Sequence, residues 1–446
     1  MKKFLLSLLG LGVVAFVALL AFALWPTPIR ALQSESNAQT ELLEQGRYLA
    51  AAGDCTACHT REGGVAFAGG RPMESPIGTL YSTNITPDKA TGIGNYSLSD
   101  FDRALRHGIA ANGDSLYPAM PYPAYAALRD EDVRALYAYF MQGVEPVSAS
   151  NRASDVPWPL SMRWPLAIWR KLFAPAPDKL STRENAYASS EIARGGYLVQ
   201  GLGHCGSCHT PRAITLQEKA LDESGAEFLA GGAEIDGWLA VNLRGDQADG
   251  LGRWSATDIV DTLRGARNAS HAVLGSAMGD VVQHSTQHLS EEDLHAVAAY
   301  LKTLPASGQS SSSFKDDPAT ALALAAGQEQ DRGAELYLDN CAACHRTDGL
   351  GDVRVFPKIA GNSSVLADNP VSLIRLLLAG SSLPSTESAP SPLGMPGFAW
   401  RLSDKEVAQL LTFIRSSWGN QAKAVKAEQV KAVRASLPTQ AASAAP

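Results

Sequence analysis

The chain has 446 residues and only six cysteines, and all six fall in one pattern used three times: Cys55-x-x-Cys58-His59, Cys205-x-x-Cys208-His209 and Cys341-x-x-Cys344-His345. Two thiols three positions apart lie on one side of a helical turn, where both can add to the vinyl groups of a single haem. The histidine after the second cysteine then faces the iron as proximal ligand. A lone C-x-x-C would fit a redox dithiol or half of a zinc site equally well. A disulfide framework needs no histidines, and two-residue loops make poor staples. With a histidine after every pair, the pattern reads as three covalently attached c-type haems.

The surroundings of the motif repeat as well. Gly46 and Tyr48, Gly196 and Tyr197, and Gly333 and Tyr337 lie upstream on a predicted short helix. Apolar residues at helical spacing predict a closing helix in each block: Val133, Leu136, Tyr137 and Phe140; Leu294, Val297, Ala298 and Leu301; Val407, Leu410, Leu411 and Ile414. Ser403 with Glu406 reads as a capping box at the start of the last of these, and Ser290 with Asp293 as a looser version. A further helix is expected at 99–107, 255–264 and 371–378. The unit of helix, C-x-x-C-H, long loop, helix, Met loop and helix resembles the class I cytochrome c fold. The expected fold class is therefore all-α, with three tandem domains of this kind behind an N-terminal apolar signal or anchor helix.

Pro and Ser enrichment marks the boundaries. The expected division is 1–33 signal or membrane anchor, 41–145 first cytochrome domain, and 146–184 Pro/Trp-rich linker. There follow 185–305 second domain, 306–327 Ser-rich linker, 328–420 third domain, and 421–446 a basic helix with a disordered tail. Lys2 and Lys3 precede an uncharged apolar run over 4–25. Its 22 residues exceed the ~7–15 of a cleavable signal and suffice to cross a bilayer at ~1.5 Å per residue. No clean small-x-small site precedes Ser34, so an uncleaved anchor is expected, with the lysines cytoplasmic and the rest exported. The linker sets Trp164, Leu166, Ile168, Trp169, Leu172 and Phe173 beside Arg163, Arg170 and Lys171. That mixture suits either packing between domains or a membrane headgroup surface. A net charge of −7, from 38 basic and 45 acidic residues, argues against a nucleic-acid partner.

A haem for electron transfer usually has a filled sixth position, and methionine there raises the potential. Met120, Met278 and Met395 follow their proximal histidines by 61, 69 and 50 residues, each flanked by Pro or Gly just before a closing helix. They are the expected axial ligands, carried on loops. Met73 and Met141 read as packing residues. His204 abuts Cys205 and is too close to reach the other haem face. His107, His271, His284, His288 and His295 have no repeated counterpart and read as surface or propionate-contact residues.

The stretches Tyr81 to Asp88 with Thr91 to Gly94, Leu116 to Tyr122, Gly201 to Pro211 and Gly250 to Ser255 carry a further likeness. On them the chain resembles the three-haem cytochrome c subunits of membrane-bound bacterial dehydrogenases acting on alcohols, gluconate, sorbitol or fructose. The resemblance implies an electron-transfer subunit on the periplasmic face of the cytoplasmic membrane of a Gram-negative bacterium. It implies a catalytic dehydrogenase subunit with flavin, quinone or molybdenum cofactor as electron donor, a small third subunit as a further partner, and ubiquinone as acceptor. It implies no catalytic residues in this chain. A cytochrome serving a terminal oxidase or another respiratory complex shares all the haem chemistry. A multihaem peroxidase would need an open sixth position, which three well-placed methionines disfavour.

Overall fold

Residues 4–24 hold no charge and no proline, and nothing in them interrupts a helix. In the computed structural model they form α1 (Lys2–Leu24), whose apolar side chains stay exposed along its length. The structure describes residues 1–33, 39–177, 187–235, 237–270, 274–308, 313–328 and 331–437. Residues 34–38, the end of the Pro/Trp-rich linker, the centre of the Ser-rich linker, His271 and the tail beyond Leu437 lie outside the described residues.

One order of elements then recurs. First come α2 (Gln39–Ala52), α3 (Cys55–His59), α4 (Leu98–His107), α5 (Tyr122–Tyr125) and α6 (Asp130–Ala138). A π-helical turn (Tyr139–Gly143) extends α6, and α7 (Trp164–Phe173) follows in the linker. Next are α8 (Ser190–Tyr197), α9 (Gly206–His209), α10 (Ala256–Gly265), α11 (Ser276–His284) and α12 (Glu291–Thr303). Last are α13 (Ala319–Ala325), α14 (Arg332–Asn340), α15 (Ala342–His345), α16 (Ser363–Leu366), α17 (Val371–Ala379), α18 (Asp404–Ser416) and α19 (Ala427–Ser436). The few strands are two-residue antiparallel pairs.

In each round the helix before the cysteines packs on the closing helix: α2 on α6, α8 on α12, and α14 on α18. A glycine sits at every crossing. A Cβ added to Gly46 would lie 2.1 Å from the Ala135 carbonyl oxygen and 2.6 Å from Tyr139 Cβ. One on Gly195 would lie 1.9 Å from the Ala296 oxygen and 2.7 Å from Tyr300 Cβ, and one on Gly333 2.6 Å from both the Gln409 oxygen and Phe413 Cβ. The backbones approach too closely for any other residue. In the second round the crossing residue is Gly195, and Gly196 lies beside it on the same short helix, as expected.

The expected periodicity of the closing helices is met. Val133, Leu136, Leu294, Val297, Leu301, Val407, Leu410, Leu411 and Ile414 are all buried. Capping boxes start α4 (Ser97 with Asp100), α10 (Ser255 with Asp258) and α18 (Ser403 with Glu406). Ser290 accepts the Asp293 N–H at the start of α12, while the Asp293 carboxylate takes a two-pronged bond from Arg194 at 2.7 and 2.8 Å. The basic C-terminal helix α19 joins the last core through Val430 and Val433. Arg434 ties it to Asp404 at 2.7 Å.

The chain divides into two compact units. One comprises residues 1–186 with 201–204, and the other 187–200 with 205–446. The second unit holds both later rounds, joined by specific contacts. Arg375 Nε donates to the Gly237 carbonyl at 3.0 Å, Leu239 N–H donates to Ser372 Oγ at 2.6 Å, and Arg354 pairs with Asp261 at 3.2 Å.

The crossing glycines give a direct test. Gly195→Ala should lower the stability of the holo-protein by about 1–3 kcal/mol, the usual cost of forcing atoms into a packed contact. Thermal melting followed by haem absorbance should drop by several degrees. Gly12→Ala, with nothing within 4 Å of the added carbon, should leave the curve unchanged.

Candidate haem-attachment sites and axial ligands

A tight turn leads each helix into its cysteine motif. Asp54 and His204 take it in the left-handed region, at φ 53° and 37°. His204 is thus a turn residue, with its ring edge-on to Tyr125 at 5.6 Å. Both cysteines then share one helical turn with the histidine. His209 and His345 N–H donate to the carbonyls of Cys205 and Cys341, each at 2.9 Å.

Each proximal histidine is oriented by a backbone carbonyl. His59 Nδ1 lies 2.7 Å from the Thr83 oxygen, His209 Nδ1 2.8 Å from that of Val241, and His345 Nδ1 3.0 Å from that of Pro357. A carbonyl can only accept, so Nδ1 carries the proton and Nε2 keeps its lone pair. Burial pushes all three imidazoles below their ordinary pKa, which favours the neutral, ligating form. The histidine carbonyls are fixed too, accepting N–H from Gly69 and Gly231 at 2.7 Å and from Gly351 at 3.1 Å. These glycines have φ of 72°, 77° and 63°, a conformation that excludes most side chains.

The thiols separate the three chemistries open to C-x-x-C. Burial pushes the Cys55, Cys205 and Cys341 thiols up to about 12. A site built for thiolate, whether redox or zinc, lowers this value. All six cysteines are free of disulfides. Among the described residues no group of three or more His, Cys, Asp or Glu side chains is placed to hold a metal ion alone. A buried first cysteine held as thiol, beside an imidazole with a bare Nε2, fits thioether attachment of haem with His as proximal ligand.

The first two sites share supports that sequence reasoning missed. Arg71 donates to the Ala57 carbonyl at 2.6 Å and Arg212 to that of Ser207 at 2.5 Å, both carbonyls lying between the cysteines. Thr60 and Thr210, directly after the histidines, accept N–H from Phe67 and Leu229 at 3.1 and 3.0 Å. The repeated Ala-Gly-Gly at 68–70 and 230–232 is the signal that could have exposed this frame.

The methionines lie in three different local settings. Met120 is on a turn, its N–H bonded to the Tyr117 oxygen at 3.1 Å and its own oxygen accepting from Tyr122 at 2.8 Å. The linker helix α7 braces both tyrosines. The Arg163 guanidinium lies 4.3 Å from the Tyr117 ring centre, and Trp169 meets Tyr122 edge-on at 6.2 Å. Met278 is not on a loop. It occupies the first turn of α11, since extended Gly275 ends the preceding segment and the helix starts at Ser276. Met395 is in a two-residue strand, with Ser381 opposite it. Gly380 lets that strand close, since a Cβ there would lie 2.5 Å from the Met395 oxygen. The Met278 and Met395 segments also touch: Cβ atoms on Gly275 and Gly279 would lie 2.2 Å from Ser381 Oγ and 3.3 Å from Pro384 Cδ. Met73 packs on Leu80, Tyr117 and Val156, in line with its expected packing role, and Met141 lies in the π-helical turn.

A helix-rich chain with disulfide-free cysteine pairs and carbonyl-oriented imidazoles on C-x-x-C-H turns is a c-type cytochrome. A family model described as cytochrome c matches residues 330–418. Across 94% of its length the chain is 54% identical to the gluconate 2-dehydrogenase cytochrome c subunit of Pantoea cypripedii, covering 95% of that protein. It is 50% identical over 88% of its length to the cytochrome c subunit of the quinone alcohol dehydrogenase of Gluconacetobacter polyoxogenes, covering 84% of that chain. It is 38% identical over 92% to the fructose dehydrogenase cytochrome subunit of Gluconobacter japonicus, covering 86%. The chain belongs to the family of dehydrogenase cytochrome c subunits. It carries covalent haem c and moves electrons within a dehydrogenase complex, with no catalysis of its own.

If every cysteine is a thioether, iodoacetamide should modify none of the six in the mature, unfolded protein. Peptide mass spectrometry reads this directly, and a labelled cysteine pair would identify a motif without haem.

Proposed function

We propose that this chain is a three-haem electron relay. It would carry electrons from a catalytic dehydrogenase subunit to ubiquinone at the periplasmic face of the cytoplasmic membrane. The observation that carries the reading is the threefold recurrence of one ligand frame: cysteine pair, carbonyl-oriented histidine and positive-φ glycine. Haem bound in each frame supplies one-electron chemistry. In this reading Cys55 and Cys58, Cys205 and Cys208, and Cys341 and Cys344 tether the groups, and His59, His209 and His345 face the irons. Met120, Met278 and Met395 fill the sixth positions, so the domains at 41–145, 185–305 and 328–420 each enclose one haem.

The chain's own residues then set rigidity and spacing. Backbone carbonyls hold the imidazoles, which keeps ligand geometry constant between oxidation states. The contact of the Met278 and Met395 segments supports direct exchange between the second and third haems. The apolar exposed α1 supports an anchor, and exposed Trp158, Leu160 and Leu172 in the linker support contact with the membrane surface. The names of the relatives support a donor subunit acting on an alcohol, sugar or sugar acid.

Met120→Ala, Met278→Ala and Met395→Ala should each convert one of three low-spin His/Met haems. The sulfur-to-iron absorption band should then fall by about a third, and one potential should drop because the thioether no longer favours the ferrous state. Optical redox titration of each variant reads both, and an unchanged spectrum would reassign that ligand. Separately, Cys205→Ala with Cys208→Ala should remove one haem mass from the chain.

A further inference from the structure

Just beyond the end of α1 lies a cavity of about 210 Å³, bounded by residues 27–30, the end of α4 and the segment following α7. Its ionisable lining is Arg30, Arg106, His107, Arg170 and Lys171, with no carboxylate among the lining residues. Most of this charge is already engaged. Arg30 and Arg106 share Asp130, and Arg106 also bonds Asp102. Lys171 Nζ caps the end of α1, donating to the carbonyls of Phe22, Ala23 and Trp25 at 2.5, 3.2 and 2.7 Å.

Arg170 is the exception. It is 9% exposed, and its Nε is buried with no hydrogen-bond partner in the structure. A buried N–H left unmade is costly, and a buried guanidinium without an anion more so. Arg170 thus lines a positively charged pocket whose lining residues include no carboxylate to pair with it.

The surroundings identify the source. Residues 27–30 continue directly from the apolar helix. Along that helix lies α7, with Trp164 edge-on to Phe16 at 5.7 Å. Trp25 and Leu172, close in sequence to residues that line the pocket, are 73% and 61% exposed, as contact with acyl chains would require. We propose that the pocket binds the phosphate of an anionic phospholipid headgroup, with Arg170 as its charge-assisted donor. The inference rests on α1 crossing the bilayer. If that reading fails, the intact complex leaves the membrane with salt alone, without detergent, which is a different result from any below.

The test counts lipid. The dehydrogenase complex is purified in detergent and washed extensively, and phospholipid is extracted and quantified against haem by mass spectrometry. Wild type and Arg170→Lys should retain phosphatidylglycerol or cardiolipin. Arg170→Gln should retain about tenfold less, as expected for one lost charged hydrogen bond, with haem content and spectra unchanged. Phosphatidylglycerol vesicles should restore binding to stripped wild type, and phosphatidylcholine vesicles should not. Equal retention in wild type and Arg170→Gln would overturn the proposal. So would release of the lipid by excess inorganic phosphate, which marks a site for free anion. A shifted potential of one haem in Arg170→Gln with lipid retained would assign Arg170 to a haem carboxylate instead. If Arg170→Gln does not assemble, wild type decides alone: a washed complex without anionic phospholipid refutes the site.

Discussion

The backbone contact at the helix crossing determines what the rest of each round can do. Where Gly46, Gly195 or Gly333 meets a closing helix, side chain is absent and main chain touches main chain. That contact fixes where the first helix ends, and so where the following cysteine turn is delivered. A bulkier residue would push the helices apart and displace the thiols from the histidine's carbonyl partner. The remaining supports then act locally. A positive-φ glycine holds the histidine's own carbonyl, and a loop carbonyl holds its Nδ1. Neither bond depends on side-chain identity at the acceptor, which lets Thr83, Val241 and Pro357 play one role.

This explains which parts were legible in the sequence. Cysteines and histidines act through side chains, so the three motifs announced themselves, and the closing helices did so through apolar spacing. The carbonyl partners of the histidines could not be read, because every residue has a carbonyl. The union of the second and third rounds was hidden for the same reason. Arg375 and Arg267 reach across it to the main-chain oxygens of Gly237 and of Ser391. Which member of the Gly195–Gly196 pair faces the closing helix was not legible either, because adjacent glycines give no residue-level sign of it. Met278 was placed on a loop because flanking glycines suggest one, yet Gly275 serves only as the boundary before α11.

The aromatic and basic residues of the linker pack in two directions from α7. Trp164 reaches Phe16 on the apolar helix, while Trp169 and Arg163 reach Tyr122 and Tyr117. One short helix thus contacts α1 on one side and the Met120 turn on the other.

That arrangement has a consequence for electron delivery. A carrier that exchanges electrons with a lipid-soluble acceptor must keep a redox centre at a fixed, short distance from the bilayer. An anchor joined to the rest by a free tether would not do this, since even a short flexible linker samples many separations. Here the path from Phe16 through Trp164, α7 and Trp169 to Tyr122 is a run of packed rings, with Lys171 bonded to the last carbonyls of α1 at its side. On the proposed reading Met120 is a ligand of the first haem, and this run makes the first haem the one held in register with the membrane.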